Sequence, residues 1–194
     1  MTEPGLFELE AVVVGQPERS RWRRYEGPAL AVSTVEGTLL AQVTHTDDTR
    51  SLLADTSGEC IVRIERRSWF GQLGPVRFHF TDGADLEVGT AVTPAVMKTL
   101  RLTLQTEQGR RLLLTRWGHM SPEWLLTETD PRRSPEPEIL GRVTVSSGDA
   151  WLGLQRYVVE TNSRLDASER RTVVASVVCL HLLRRPPGDS AAPG

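Results

Sequence analysis

A glycine-containing turn followed by an apolar stretch recurs four times, and this repeat constrains the fold more than any other feature of the sequence. The turns contain Gly37, Gly58, Gly83 and Gly109, and they lie about 20 to 26 residues apart. Glycine supplies the positive φ that a tight hairpin turn requires. The stretches that follow have the composition and alternation of strands, and they span 38–43, 59–64, 86–92 and 112–117. The repeat therefore predicts a succession of antiparallel hairpins.

Two later segments extend this pattern. Residues 139–145 share a Gly-containing aliphatic motif with the strand at 86–92, and residues 151–160 have the composition of one more strand. The prolines of segment 129–137 indicate a surface loop between the fourth repeat and the strand at 139–145. Counting both arms of each hairpin, we expect about ten to twelve strands in a mainly β protein.

The last apolar segment changes from a strand pattern to a helical one. Asp166 stands where an N-cap would, and Glu169 follows at capping-box spacing. The run 170–185 is apolar on every side through its middle and stops at Pro186. Abundant valine leaves a pair of strands as the alternative, but no turn residue interrupts the run. The segment is roughly 20 Å long against a bilayer core of about 30 Å, so we expect a buried core helix.

Composition narrows the function classes. The net charge of −2 argues against wholesale nucleic-acid binding, and Lys98 is the only lysine among 23 basic residues. The arginines are scattered along the chain, so their identity indicates little. Cys60 and Cys179 lie in apolar runs, where free cysteine acts as a small buried hydrophobe. The N-terminus has no basic region before its apolar run, so we expect no signal peptide and a cytoplasmic protein.

The order of these elements resembles the tubby C-terminal-like superfamily, in particular its phospholipid-scramblase and LURP-one-related branch. The likeness is carried by the turns 54–58 and 81–83, the strand 139–143 and the ending 157–175. The resemblance implies a closed antiparallel barrel of about twelve strands around one central hydrophobic C-terminal helix. It would cover a single domain at 6–185, before a disordered tail at 186–194.

The resemblance also implies, loosely, a capacity to bind anionic lipid. The acidic calcium-binding segment that scramblases carry beside the terminal helix is absent here, as is their Cys-rich acylation stretch. Calcium-dependent lipid scrambling is therefore not expected. We expect a non-enzymatic binding domain that docks on anionic phospholipid or on a protein partner, cytoplasmic and in part peripheral at the membrane. The alternative is a small-ligand carrier or an enzyme with a pocket at one end of the barrel.

One dense basic cluster is the candidate site for such docking. Four arginines and two aromatic residues alternate within 19–25, and the candidate binding residues are Arg19, Arg21, Trp22, Arg23 and Arg24. Such a cluster could lie on an anionic membrane with Trp22 at the headgroup level, or on a nucleic-acid backbone, which is the less favoured partner. The competing interpretation is a strand whose arginines face water while Trp22 and Tyr25 fill the barrel.

Catalytic and metal-binding patterns give no candidate. His45, His79, His119 and His181 have no partners at ligand spacing, so neither a metal nor a cofactor is expected. His79 alternates with two phenylalanines and is predicted to face outward. No nucleophile motif of the Gly-x-Ser-x-Gly type occurs, and we expect no enzymatic activity.

Overall fold

A computed structural model describes residues 5–17, 30–47, 49–68, 74–94, 101–118, 121–128, 137–149 and 154–184. These residues form twelve strands and one helix, α1. The strands are β1 Ala11–Gly15, β2 Leu30–Ser33, β3 Leu39–His45, β4 Arg50–Asp55, β5 Cys60–Ser68, β6 Val76–Thr81, β7 Glu87–Thr93, β8 Arg101–Thr106, β9 Arg111–Arg116, β10 Glu123–Glu128, β11 Ile139–Asp149 and β12 Leu154–Thr161, and α1 is Ala167–Arg184.

Each strand pairs antiparallel with its neighbours in the sequence, and β1 pairs with β12 to close the barrel. The closing register joins Ala11 to Glu160 and Gly15 to Arg156. The predicted closed antiparallel barrel of about twelve strands with one C-terminal helix is confirmed. Because the strands alternate in direction, their connections alternate between two ends. We call the end where α1 begins the cap end, and the opposite end, toward which α1 runs, the tail end.

The four repeated turns all lie at the cap end and share one hydrogen-bonding pattern. In each turn the first residue accepts a hydrogen bond on its side-chain oxygen from the N–H four residues later, and one on its carbonyl from the N–H three residues later. These first residues are Thr34, Asp55, Asp82 and Thr106. Short polar side chains that bond to nearby backbone in this way are typical turn formers. The internal repeat in the sequence therefore corresponds to four hairpin turns of one hydrogen-bonding type.

The positive φ in these turns falls at the fourth position, which corrects the assignment at one turn. Gly37, Gly58 and Gly109 have φ of 98°, 89° and 78°, as expected. In the remaining turn Asp85 occupies the fourth position with φ of 62°, whereas Gly83 has no positive φ. Asp82 is the first residue of that turn. Gly83 therefore falls at the second position and not at the fourth, where the backbone adopts a positive φ. Aspartate tolerates this conformation better than most residues.

Helix α1 occupies the interior of the barrel. Its side chains Val173, Ala175, Val177 and Val178 are fully buried, as are inward strand residues such as Phe78. The predicted capping box is present: the Glu169 N–H donates to Asp166 Oδ1 at 2.8 Å, and the Asp166 N–H donates to Glu169 Oε2 at 3.1 Å. The helical interpretation of this apolar run is confirmed over the pair of strands.

One glycine allows α1 to approach the barrel wall. A Cβ added at Gly89 would lie 2.5 Å from the Gln105 carbonyl oxygen and 3.1 Å from the Thr172 side chain. The Thr172 hydroxyl donates to the Val88 carbonyl at 3.1 Å, which joins the helix to β7 directly. The first turns of α1 therefore lie against β7 at a separation that any side chain at position 89 would oppose.

Several smaller predictions have mixed outcomes. His79 is partly exposed between the fully buried Phe78 and Phe80, as alternation predicted. Cys179 is fully buried, but Cys60 is only partly buried because it begins β5 directly after a turn. Among the described residues, no helix is long and apolar enough to cross a membrane. Residues 185–194 lie outside the described residues, so the disordered tail stays a prediction.

Candidate functional site

The predicted basic cluster lies outside the described residues. Arg19, Arg21, Trp22, Arg23 and Arg24 all fall in 18–29, which connects β1 to β2. The described residues on either side, Pro17 after β1 and Leu30 at the start of β2, are both at the tail end. The structure thus defines the end of the barrel to which this segment is joined, and the role of the cluster stays a prediction.

The tail end carries a second set of arginines that the sequence analysis treated as scattered. Five strands place an exposed arginine on the outer surface in their tail-end halves. We call these the tail-end arginines: Arg50, Arg67, Arg77, Arg101 and Arg156. Arg66 and Arg116 are partly buried at the same end. The carboxylates there are fewer: Asp47, Glu65 and Glu123, together with Asp149 at the end of β11, whose side chain is not described.

Strand register brings two of these arginines side by side. Arg67 on β5 pairs directly with Arg77 on β6. Arg67 also bonds to Glu65 Oε2 at 3.0 Å, and this hydrogen bond holds the pKa of Glu65 below its ordinary value. Among the described residues Arg77 makes no ion pair. Like charges directly opposite each other destabilise an antiparallel pair, and the described carboxylate that bonds here, Glu65, bonds to Arg67 and not to Arg77.

The cap end has the opposite charge. Carboxylates occupy its turns and strand ends, and the exposed ones are Glu8, Glu10, Glu36, Glu59, Asp85, Glu87, Glu107, Glu138, Glu160 and Asp166. The exposed arginines of that half are fewer: Arg63, which pairs with Asp85; Arg164, which pairs with Glu138; Arg142, which pairs with Glu123 at 3.5 Å; and Arg111. The small net charge of −2 therefore conceals a charge separation along the barrel axis.

A buried ionic cluster stabilises the cap end and the start of α1. The Arg110 guanidinium donates to both Glu128 oxygens at 3.0 and 3.1 Å and to both Glu169 oxygens at 3.1 Å. The hydrogen bond to Glu128 raises the pKa of Arg110, while burial acts in the opposite direction. Arg170 donates to the carbonyls of Glu8, Leu9 and Asn162. This end is thus tied together by its own groups.

One large aromatic side chain projects from the tail end. Trp117 follows β9 and is 64% exposed, whereas Trp124 on β10 is buried at 1%. Among the large hydrophobic residues described as exposed, the other four lie toward the cap end, and they are Val35, Leu39, Leu86 and Ile139. The Trp117 side chain therefore lies mostly in solvent, because the hairpin turns it away from the core.

The interior offers titratable groups but no described metal site. Burial raises the pKa of the Cys179 thiol well above its ordinary value, so it is an unreactive group. The rings of Tyr157 and His181 meet edge to face, with centroids 6.4 Å apart. His45 Nδ1 and Ser51 Oγ are 3.0 Å apart on neighbouring strands. Within the described ranges, no group of three or more His, Cys, Asp or Glu side chains could hold a metal ion.

A sequence signal for the tail-end arginines did exist. If the four repeated turns are assigned to one end of the barrel, then the strand residues farthest from those turns must lie together at the opposite end. Exposed arginines lie there on β4, β5, β6, β8 and β12, and few described carboxylates accompany them. Reading charge by sequence position alone hides this grouping, because the antiparallel order interleaves the two ends along the chain.

Comparison with known proteins supports the architecture. The chain is similar to the X-ray structure of an Arabidopsis thaliana protein, AT5G01750, with a TM-score of 0.54 and 13% sequence identity over 90% of this chain and 92% of the other. At this level of sequence identity the likeness shows a shared fold and nothing finer. No protein-family model matches the chain. No curated protein matches it either.

Proposed function

We propose that this protein is a non-enzymatic, tubby-like docking domain whose tail end binds the anionic phospholipid surface of a membrane from the cytoplasmic side. The observation that carries the proposal is the separation of charge between the two ends of the barrel. The tail-end arginines face outward at one end, and the exposed carboxylates are concentrated at the other. A protein with net charge −2 approaches an anionic surface favourably only when this basic end leads.

The opposing pair Arg67 and Arg77 supports an anionic partner. Its register places two arginines directly opposite each other, so their positive charges repel, and Glu65 bonds to Arg67. Phosphate groups of lipids would relieve that repulsion, since guanidinium pairs readily with phosphate. The predicted cluster Arg19–Arg24, in the connection that begins and ends at the tail end, would add to the same attraction.

The interior supports a docking role over an enzymatic one. Buried aliphatic side chains of α1 fill the space that a ligand-carrying barrel would leave open. The buried polar groups of the cap end are engaged in ion pairs and carbonyl contacts within the protein. We therefore assign the binding surface to the outside of the barrel.

The test compares two sets of charge-neutralising substitutions. Replacing Arg50, Arg67, Arg77 and Arg101 by Gln removes four charges from the tail end. Each basic residue near an anionic surface contributes about 1 kcal/mol, so vesicle affinity should fall roughly a thousandfold. The matched control changes the same number of exposed arginines in the cap-end half, and these are Arg63, Arg111, Arg142 and Arg164. The control should bind as the parent protein does.

The measurement is binding to phosphatidylcholine vesicles with and without phosphatidylserine, at low and at raised salt. Raised salt should weaken the binding, because exposed charges are screened beyond about 8 Å at physiological ionic strength. Short duplex DNA is run in parallel to separate lipid binding from binding to any polyanion. A variant with Gln at Arg19, Arg21, Arg23 and Arg24 tests the predicted cluster separately. The proposal would be overturned if the tail-end variant and the cap-end control lost equal vesicle affinity, or if the parent protein did not bind vesicles.

A further inference from the structure

We propose that Trp117 is an interfacial anchor, which inserts into the headgroup region of the bilayer when the tail end docks. This inference rests on the proposed function and deepens it, since arginines alone would hold the protein above the lipid. Trp117 is the large hydrophobic residue that the described part of the tail end exposes. An indole at a membrane interface places its ring among the headgroups and keeps its N–H hydrated.

The hairpin tip holds Trp117 in a defined position. The Trp117 N–H donates to the Glu123 carbonyl at 2.8 Å, and the Gly118 N–H donates to the Arg116 carbonyl at 2.9 Å. Gly118 has φ of 80°, a conformation that glycine adopts without strain. Arg116 Nε adds a bond to the Ser121 carbonyl at 2.8 Å. The backbone on both sides of the indole is therefore fixed before any partner arrives, which lowers the entropic cost of docking.

The charges around the tip identify the partner as an anionic bilayer. Thr115, two residues before Trp117 on β9, pairs with Arg101, whose exposed guanidinium lies on the neighbouring strand. An exposed aromatic residue beside arginines matches the two layers of a bilayer surface, with phosphates outermost and acyl chains beneath. A polyanion without an apolar layer would gain nothing from the indole beyond stacking. Burial of about half of the exposed indole area would strengthen vesicle binding roughly tenfold.

The test uses Trp117→Ala and Trp117→Phe on phosphatidylcholine vesicles containing about one-third phosphatidylserine. Leu86→Ala is the matched control, because Leu86 is also 64% exposed but lies at the cap end. We expect Trp117→Ala to weaken binding about tenfold, Trp117→Phe to retain most of it, and Leu86→Ala to leave it unchanged. Thermal melts of all variants should match the parent, since neither side chain is buried.

A second measurement reads insertion directly. Lipids brominated along the acyl chain quench tryptophan fluorescence on contact, so they should quench the parent protein more than Trp117→Phe. If the parent binds vesicles in a salt-sensitive way but Trp117→Ala binds equally well and the quenching is unchanged, the anchor is overturned while the proposed function stands. If the parent does not bind vesicles at all, the proposed function and the anchor fall together.

Discussion

Replacing Arg110 by Leu should destabilise the whole barrel, because this side chain holds two carboxylates that have little access to water. The side chains of Arg110, Glu128 and Glu169 are 21%, 14% and 5% exposed. Arg110 contacts all four carboxylate oxygens at 3.0 to 3.1 Å. The substitution leaves Glu128 and Glu169 facing each other without the intervening positive charge.

The size of the effect follows from the burial and the hydrogen bonds. Removing one partner of a buried ion pair costs about 3 to 5 kcal/mol, and domains are stable by only about 5 to 15 kcal/mol. Glu169 keeps its bond to the Asp166 N–H, which places the expected loss near the lower figure.

The assay is urea unfolding of the parent and of two variants at pH 7. The compensated variant Arg110→Leu/Glu128→Leu/Glu169→Gln removes the three charges of this cluster and keeps an N3 residue that can complete the capping box. It should recover most of the lost stability, because a neutral cluster carries no desolvation penalty. A loss of under about 1 kcal/mol in Arg110→Leu, or no recovery of stability in the compensated variant, would refute this reasoning.

Four further outcomes are expected. Asp85→Gly should stabilise the protein by about 0.5 to 1 kcal/mol, and Gly58→Ala should destabilise it by about as much, because both positions have a positive φ. Nothing lies within 4 Å of a Cβ at Gly58, so a steric clash would not explain its loss. Unfolding midpoints that move in the same direction in the two variants would contradict this. Val177→Asp should cost several kcal/mol by burying an unpaired carboxylate, with a soluble variant of parental melting temperature as the contrary result. Hydrogen bonds from the Ser57 hydroxyl and nearby N–H groups lower the pKa of Asp55, so its stabilising effect is present above about pH 4 and is lost as pH falls through the lowered pKa. Acid titration of stability should accordingly be shallower in Asp55→Asn. Calcium should not change the melting midpoint relative to chelator, and a reproducible rise of several degrees would support a metal site.

Local sequence patterns predicted the elements because the forces that form them act over a few residues. The alternation around Phe78 and Phe80 gave β6 its inward face, and the Asp166 and Glu169 pair located the start of α1. The repeat of turns predicted hairpins, since Thr34 and Asp55 need only their own neighbours to form these bonds. In the turn at Asp82 the positive φ was assigned to Gly83 instead of Asp85. Glycine is a strong turn signal in a sequence, whereas an aspartate with positive φ is a weak one.

Tertiary structure alone decided which charged residues share a surface. Arg67 and Arg77 are ten positions apart, yet the β5 and β6 register makes them direct neighbours. Arg110 meets Glu169 only because β12 returns beside β1 and sends α1 back through the barrel past the β8 and β9 turn. The sequence by itself determined the strands, the turns and the capped apolar helix, because hydrophobic period and turn chemistry are local. The basic and acidic ends exist only after closure, because antiparallel alternation and non-local pairing bring together residues that are scattered along the chain.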